Sequence, residues 1–258
     1  MMSFYLISAM VIFGFMTLLY FHQQKTKNAT SVDMYWALGI GIQTALIAWM
    51  SNGDVVRRLV ISILVGAWSL RLASHLYFDR VLKGEEDGRY ARFRKELSSL
   101  AFFGLYMAQA VLVFLLPLTF LGAFNNSVAF PSSLDILALA LWGGSIFGEY
   151  TADRQLARFR ANPSNRGKTC RDGLWKYSRH PNYFFEWLIW CAYIPLSIGS
   201  SQFFVALLGP GLLLFLLLKV SGVPPTEAQA LVSRGDDYRD YQKTTSVFVP
   251  WFSKEKKS

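Results

Sequence analysis

The chain is poor in charge, cysteine and histidine. Of its 258 residues only 17% are Asp, Glu, Lys or Arg, against 53% hydrophobic and 16% aromatic. Its two cysteines, Cys170 in a basic loop and Cys191 in an apolar run, argue against a disulfide framework. The three histidines, His22, His75 and His180, lie far apart, and no His/Cys cluster has metal-ligand spacing, so no metal site is expected. A Gly-x-Gly-x-x-Gly turn is missing, which excludes a Rossmann dinucleotide site. No Ser or Cys triad, internal repeat or low-complexity segment is present. No basic residue precedes the first apolar run and no small-residue cleavage site follows it, so no secretory leader is expected. The formal charge of +9 comes without a nucleic-acid motif or an aromatic-interleaved basic module, so nucleic acid is not an expected partner.

Apolar runs are what the chain has in abundance. Seven of them, residues 3–21, 32–50, 59–78, 100–124, 134–150, 181–198 and 202–220, approach or exceed the length needed to cross a bilayer. Basic residues alternate between the links. Those after the first, third, fifth and seventh runs hold 22 Lys and Arg, whereas the others hold only Arg57 and Arg58. This is the positive-inside asymmetry, and it places the C-terminus in the cytoplasm and the N-terminus outside. The expected fold is all-α: one integral membrane domain over residues 1–258, a bundle of about seven transmembrane helices with a short cytoplasmic C-terminal helix. Thr226-Glu227-Ala228-Gln229, after Pro224-Pro225, reads as the capping box that opens that helix.

The outer links 125–133 and 199–201 are too short to build a site, so chemistry is expected at the cytoplasmic mouth. The most informative stretch is Gly173-Leu-Trp-Lys-Tyr-Ser-Arg-His-Pro-Asn-Tyr-Phe-Phe-Glu186, which ends a basic loop and opens an apolar run. Pro181 suits the first position of a helix, where its missing N–H has no partner to lose. At 100° per residue, Arg179, Asn182, Tyr183 and Glu186 fall in one stripe. By the same arithmetic Glu149, Asp153 and Arg160 share a face. An acid two turns into an apolar helix is a functional-site hypothesis by default. Loop 161–176, rich in Asn, Arg, Gly and Ser, is the expected mobile lid. Plainer readings stand beside these. Most loop cations orient the chain, His180 is an interfacial residue, and Glu85-Glu86-Asp87 is a solvated loop. Arg71 pairs with Asp33 or Glu186 inside the bundle, and Glu227 is structural or faces the site.

Arg179-His180-Pro181-Asn182-Tyr183, Asp172-Gly173-Leu174, Ser221-Gly222-Val223-Pro224 and Tyr238-x-x-Tyr241-x-x-x-Thr245-x-x-Phe248-x-Pro250 together resemble the steroid 5-alpha-reductase superfamily, most of all its bacterial branch. The likeness covers residues 140–251, and reaches the first three runs through Asp33-x-x-Trp36 and Glu86-Asp87-x-Arg89-Tyr90. Arg-His-Pro-x-Tyr is also similar to a block in isoprenylcysteine carboxyl methyltransferases.

The resemblance implies a bacterial inner-membrane reductase that uses NADPH on a carbon–carbon double bond conjugated to a carbonyl, with an apolar, lipid-like substrate. By position, Asp153 and Arg160 match an acid and an arginine at the cofactor site, and Asn182 and Glu186 a polar pair. Glu149, Lys168, Arg179, His180, Tyr183 and Tyr238 complete the set expected around the cofactor. Arginines suit its phosphates because the guanidinium binds phosphate through two donors. The Gln-Glu pair with which steroid reductases polarise the carbonyl is absent, since Gln43 is followed by Thr44. Tyr77 or His75 is left for that catalytic role. Two other readings remain: an S-adenosylmethionine-dependent membrane methyltransferase, and a non-enzymatic transporter or assembly factor. No obligate protein partner is expected.

Overall fold

Residues 2–253 are described by the structure, a computed structural model, and they form helices with no strand among them. Lys254, Lys256 and Lys257 of the basic tail lie outside these residues. The chain divides into two compact units. One takes in the chain up to Phe130 together with Ser197–Gly209, and the other takes in Pro131–Leu196 together with the chain from Pro210 onward.

The first unit contains α1 (Met2–Thr26), α2 (Val32–Met50), α3 (Val55–Leu76), α4 (Gly88–Glu96), α5 (Ser99–Leu115) and α6 (Leu121–Phe124). Lys27, at φ 55°, ends α1 in the left-handed conformation that commonly terminates helices. Asp54 caps α3 by accepting from the Arg57 N–H at 2.9 Å, and that bond holds its carboxyl below the usual range. The two cations of the sparse links are both spent on backbone. Arg57 is buried and donates to the carbonyls of Asn126 and Val128 at 3.1 and 2.7 Å. Arg58 donates to the Ala48 and Ser51 carbonyls at 2.9 and 2.6 Å, satisfying the C-terminal end of α2. The segment Ser197–Gly209 is tied in by the Gly209 N–H on Thr119 Oγ1 at 2.7 Å and by the Asn126 amide on the Ile198 carbonyl at 3.2 Å.

Polar groups gather at one end of this unit. Asp33, in the first turn of α2, accepts from the Tyr90 hydroxyl at 2.5 Å and from Arg89 at 2.7 Å. Glu86 accepts from Arg94 at 2.5 Å and from the Ala29 N–H at 3.0 Å, while Asp87 caps α4 and pairs with Arg80 at 3.0 Å. The expected solvated loop at residues 85–87 is therefore corrected at its last two positions, which tie α2 and α4 to the end of α1. Asp33 is likewise taken up by Tyr90 and Arg89 rather than reserved for Arg71. Burial opposes the charge on Asp87, but its bonds to Arg89 outweigh that and lower its pKa. Such a carboxylate stabilises the fold above its unfolded pKa of about 3.9, and the contribution disappears as pH falls through the lower folded value. Asp87→Asn should accordingly lower the melting temperature in detergent at pH 7 and flatten its fall between about pH 5 and pH 3. An unchanged acid profile would show that the cluster contributes no pH-dependent stability.

The second unit contains α7 (Ser133–Ala161), α8 (Pro181–Cys191), the rest of α9 (Leu208–Phe215), α10 (Val223–Arg234) and α11 (Asp236–Thr244). Ser132 and Asp135 form a reciprocal capping box at the start of α7. Pro181 opens α8 as its composition implies. Gly148 lets α7 and α8 meet: a Cβ there would lie 2.4 Å from the Phe185 ring. Gly235 adopts φ 54° and ψ −124°, a conformation side chains disfavour, and so turns α10 back into α11.

Among the described residues, four helical stretches are long and apolar enough to cross a membrane: Ser3–Thr26, Val55–Val81, Ser99–Phe124 and Phe203–Arg234. The run over residues 181–198 is not one continuous helix, because α8 stops at Cys191 and a 3₁₀ turn, Pro195–Ser197, follows. Pro195 removes an N–H and disfavours helix in the residue before it. Eleven helical residues reach about 16 Å, so a crossing of about 30 Å of hydrocarbon here would need the turns of residues 192–198 as well. The C-terminal helix also starts earlier than the capping box implies. Gly222, not Thr226, precedes α10, and Pro224 and Pro225 sit in its first turn, which tolerates them.

Candidate functional site

The polar stretch that opens α8 meets the end of the chain within the second unit. Ser178 and Ser246 form an isolated parallel bridge, and the Arg179 N–H donates to the Ser246 carbonyl at 2.8 Å. Ser178 Oγ donates to the Phe248 carbonyl at 2.7 Å, and the Trp251 N–H donates to Tyr177 at 2.9 Å. The Tyr241 hydroxyl rests on the carbonyls of Trp175 and Ser178. Four residues, Tyr238, Tyr241, Gln242 and Thr245, recur at helical spacing and turn one face of α11 and its C-cap inward. Three of them, Tyr238, Tyr241 and Thr245, are buried. Burial keeps the Tyr238 and Tyr241 phenols protonated well beyond neutral pH, so they act as donors.

Glu227 of α10 is the hub of this arrangement. Its Oε1 accepts from Arg179 Nε at 2.7 Å, lies 3.2 Å from His180 Nε2, and accepts from Tyr238 at 3.3 Å. Its Oε2 accepts from the Gln242 amide at 2.7 Å. The Arg179 fork also donates to the carbonyls of Gln242 and Thr245 at 3.0 and 2.9 Å, where the end of α11 lacks internal partners. The shared stripe expected for Arg179 is thus corrected. It lies before α8, and its side chain turns to α10 and α11. His180, only 3% exposed, stacks on Tyr183 with ring centres 5.3 Å apart. The Tyr183 hydroxyl lies 3.1 Å from Thr226 Oγ1.

The expected site residues do not form one cluster. Arg179, His180, Tyr183 and Tyr238 converge around Glu227, directly or through one neighbour. Asp153 of α7 accepts from the Asn182 amide of α8 at 3.2 Å, and Glu186, one turn further, accepts from the Trp190 indole at 3.2 Å. Glu149 is buried on α7, whereas Arg160, in its last turn, and Lys168 are exposed. Tyr77 and His75 are exposed at the end of α3, in the first unit.

The anticipated lid at residues 161–176 is corrected in its second half. The Thr169 N–H donates to Asp237 at 2.7 Å, and Arg171 donates to the Asp237 carboxylate at 2.8 Å. The Leu174 N–H donates to Gln155 at 2.9 Å, and the Trp175 indole donates to the Ala152 carbonyl at 2.9 Å. In the first half Arg166 and Lys168 are exposed.

Sequence reasoning did not foresee the central place of Glu227, nor Gln242 and Thr226 as its surroundings. The signal for Gln242 was available in the inward face of α11. The capping-box pattern drew attention to Glu227 as structural or facing the site, but nothing local pointed to its partner Arg179, 48 positions away.

The family model described as "Protein of unknown function (DUF1295)" matches residues 19–245. No curated protein matches the chain, and no solved structure does.

Proposed function

The chain belongs to the DUF1295 family, and we propose that it is a membrane-embedded, NADPH-dependent reductase of a carbon–carbon double bond conjugated to a carbonyl, acting on an apolar, lipid-like substrate. The observation that carries the reading is the polar edge of α7 and α8. Asp153 is bonded to Asn182, and Arg160 follows two turns on, about 10 Å along the same helix. Arg158, Arg160, Arg166 and Lys168 have no ion-pair partner among the described residues. An unspent set of cations near a carboxylate and an amide fits a nucleotide that carries phosphates and ribose hydroxyls.

NADPH, when bound, supplies a hydride to the β-carbon of the enone, and a proton completes the α-carbon. Arg160 and Lys168 bind phosphate, and Asp153 and Asn182 orient the ribose or the carboxamide. Glu227 holds Arg179 and His180 in place and so sets the entry to α8. A site for S-adenosylmethionine would favour an uncompensated carboxylate for the sulfonium, and Glu227, already facing Arg179, is poorly suited to that.

Thermal shift on purified protein tests the reading. NADPH at about 100 times its Kd should add roughly 2.7 kcal/mol of stability. A shift with S-adenosylmethionine and none with NADPH would replace this reading with the methyltransferase one.

We further propose seven crossings of a bacterial inner membrane, with α2, α7 and the interrupted α8 completing the count. The N-terminus is outside and the C-terminus cytoplasmic, from the 22 basic residues against two. Reporters fused before Met1 and after Ser258 check this, and a C-terminal reporter active only outside would reverse the topology.

A further inference from the structure

The stretch that follows α11 has two faces. Thr245 and Phe248 are buried, whereas Val247, Val249 and Trp251 are exposed at a spacing of two, the period of extended backbone. On the inner face the Phe248 ring lies 5.8 Å from that of Phe184 and 5.9 Å from that of Trp187, centre to centre. The bonds from Ser178 Oγ to the Phe248 carbonyl and from the Trp251 N–H to Tyr177 hold the same stretch across the start of α8.

The outer face is apolar. Val249, Trp251 and Phe252 are 52%, 69% and 78% exposed. The Phe252 ring sits edge-on to Tyr177 at 6.2 Å, which gathers the aromatic side chains into one patch. Contiguous exposed apolar surface marks a protein or a membrane contact. Three observations favour the membrane. Cations border the patch: Lys176, beside Tyr177, is exposed and has no ion-pair partner among the described residues, and the sequence continues after Ser253 as Lys254-Glu255-Lys256-Lys257. The stretch packs on Phe184 and Trp187, where the apolar run of residues 181–198 begins. Pro250 has no N–H to give, so the stretch makes a poor edge for a partner that adds a strand.

We infer that residues 247–252 dock on a membrane surface rich in anionic lipid, and that this docking secures the stretch across the start of α8. Trp251 and Phe252 enter the boundary between headgroups and acyl chains, where aromatic rings are favoured. Lys176 and the lysines of the tail face lipid phosphates, and Glu255 opposes them in part. The surface lies wholly in the second unit and involves no nucleotide, so it stands or falls separately from the reductase reading.

Hydrogen–deuterium exchange of the full chain, one copy per nanodisc, tests the inference. Discs of phosphatidylcholine alone are compared with discs that also contain phosphatidylglycerol. Both faces of a disc carry the same lipid, so the result does not depend on the sidedness of the C-terminus. Amides of residues 245–253 should exchange at least about fivefold more slowly in the anionic discs, the effect of one lysine near an anionic surface. Salt at about 0.5 M should shrink the difference by screening. Lys176→Gln combined with Lys254→Gln, Lys256→Gln and Lys257→Gln should erase it. Trp251→Ser with Phe252→Ser should speed exchange of the stretch in both discs. Equal exchange in the two lipids, or a lipid effect that survives the four glutamines, would overturn the proposal. Protection that appears only with two copies per disc would overturn it too, by assigning the face to a second copy of this chain. The comparison of lipids uses the unaltered protein, so it decides the matter even if a variant does not fold.

Discussion

Glu227→Ala is expected to cost about 3–5 kcal/mol of stability, because it leaves a mostly buried arginine and a buried histidine facing no carboxylate. The loss should be concentrated where α10, α11 and residues 177–180 meet, since Arg179, Tyr238 and Gln242 all reach the same side chain. Glu227→Gln keeps an acceptor for Arg179 and should lose less. A double-mutant cycle with Arg179→Ala should show strong coupling, because the two side chains are in direct contact. Thermal unfolding in detergent measures the loss, and proteolysis near Tyr177 locates it. A Glu227→Ala protein that melts like the wild type would mean that the hub is incidental to the fold.

The second large effect concerns ligand affinity. Arg160→Ala should weaken NADPH by roughly 10- to 150-fold, the equivalent of about 1.5–3 kcal/mol for one charge-assisted contact. The fold should be undisturbed, because Arg160 is exposed and has no ion-pair partner among the described residues. Arg160→Lys should recover only part of the affinity, since an ammonium lacks the planar fork. If the 2′-phosphate is the contact, NADH binding should hardly change, whereas a pyrophosphate contact would weaken both nucleotides. Titration in nanodiscs separates these outcomes, and unaltered NADPH binding would remove Arg160 from the site. Arg179→Ala should behave differently, losing stability first, because its guanidinium is already bonded within the protein.

These two arginines show how far the sequence could be read. Both sit in basic, apparently equivalent surroundings, yet one is exposed and the other holds three segments together. Side-chain partners so far apart along the chain leave no local pattern. What was legible depended on near neighbours: the long apolar helices α1, α3 and α5, and Pro181 as the first residue of α8. The break after Cys191 was also written locally, in Pro195, but a hydropathy run passes over one proline. The pairing of Asp33 with Tyr90 depends on positions 57 apart, and the two motifs containing them gave no hint that they touch.

The order in which the chain is made gives the division into two units a further meaning. The first unit is completed only by Ser197–Gly209, and the second begins at Pro131, before that segment exists. During synthesis each unit therefore waits for sequence that lies beyond part of the other. The bridge from Ser178 to Ser246 and the bond from Ser178 to Phe248 cannot form until residues 246–248 have been made. Neither unit can be excised as one continuous piece of chain. A ribosome stalled, or a gene truncated, shortly before Thr245 would leave helices inserted around a site whose closing segment never arrives.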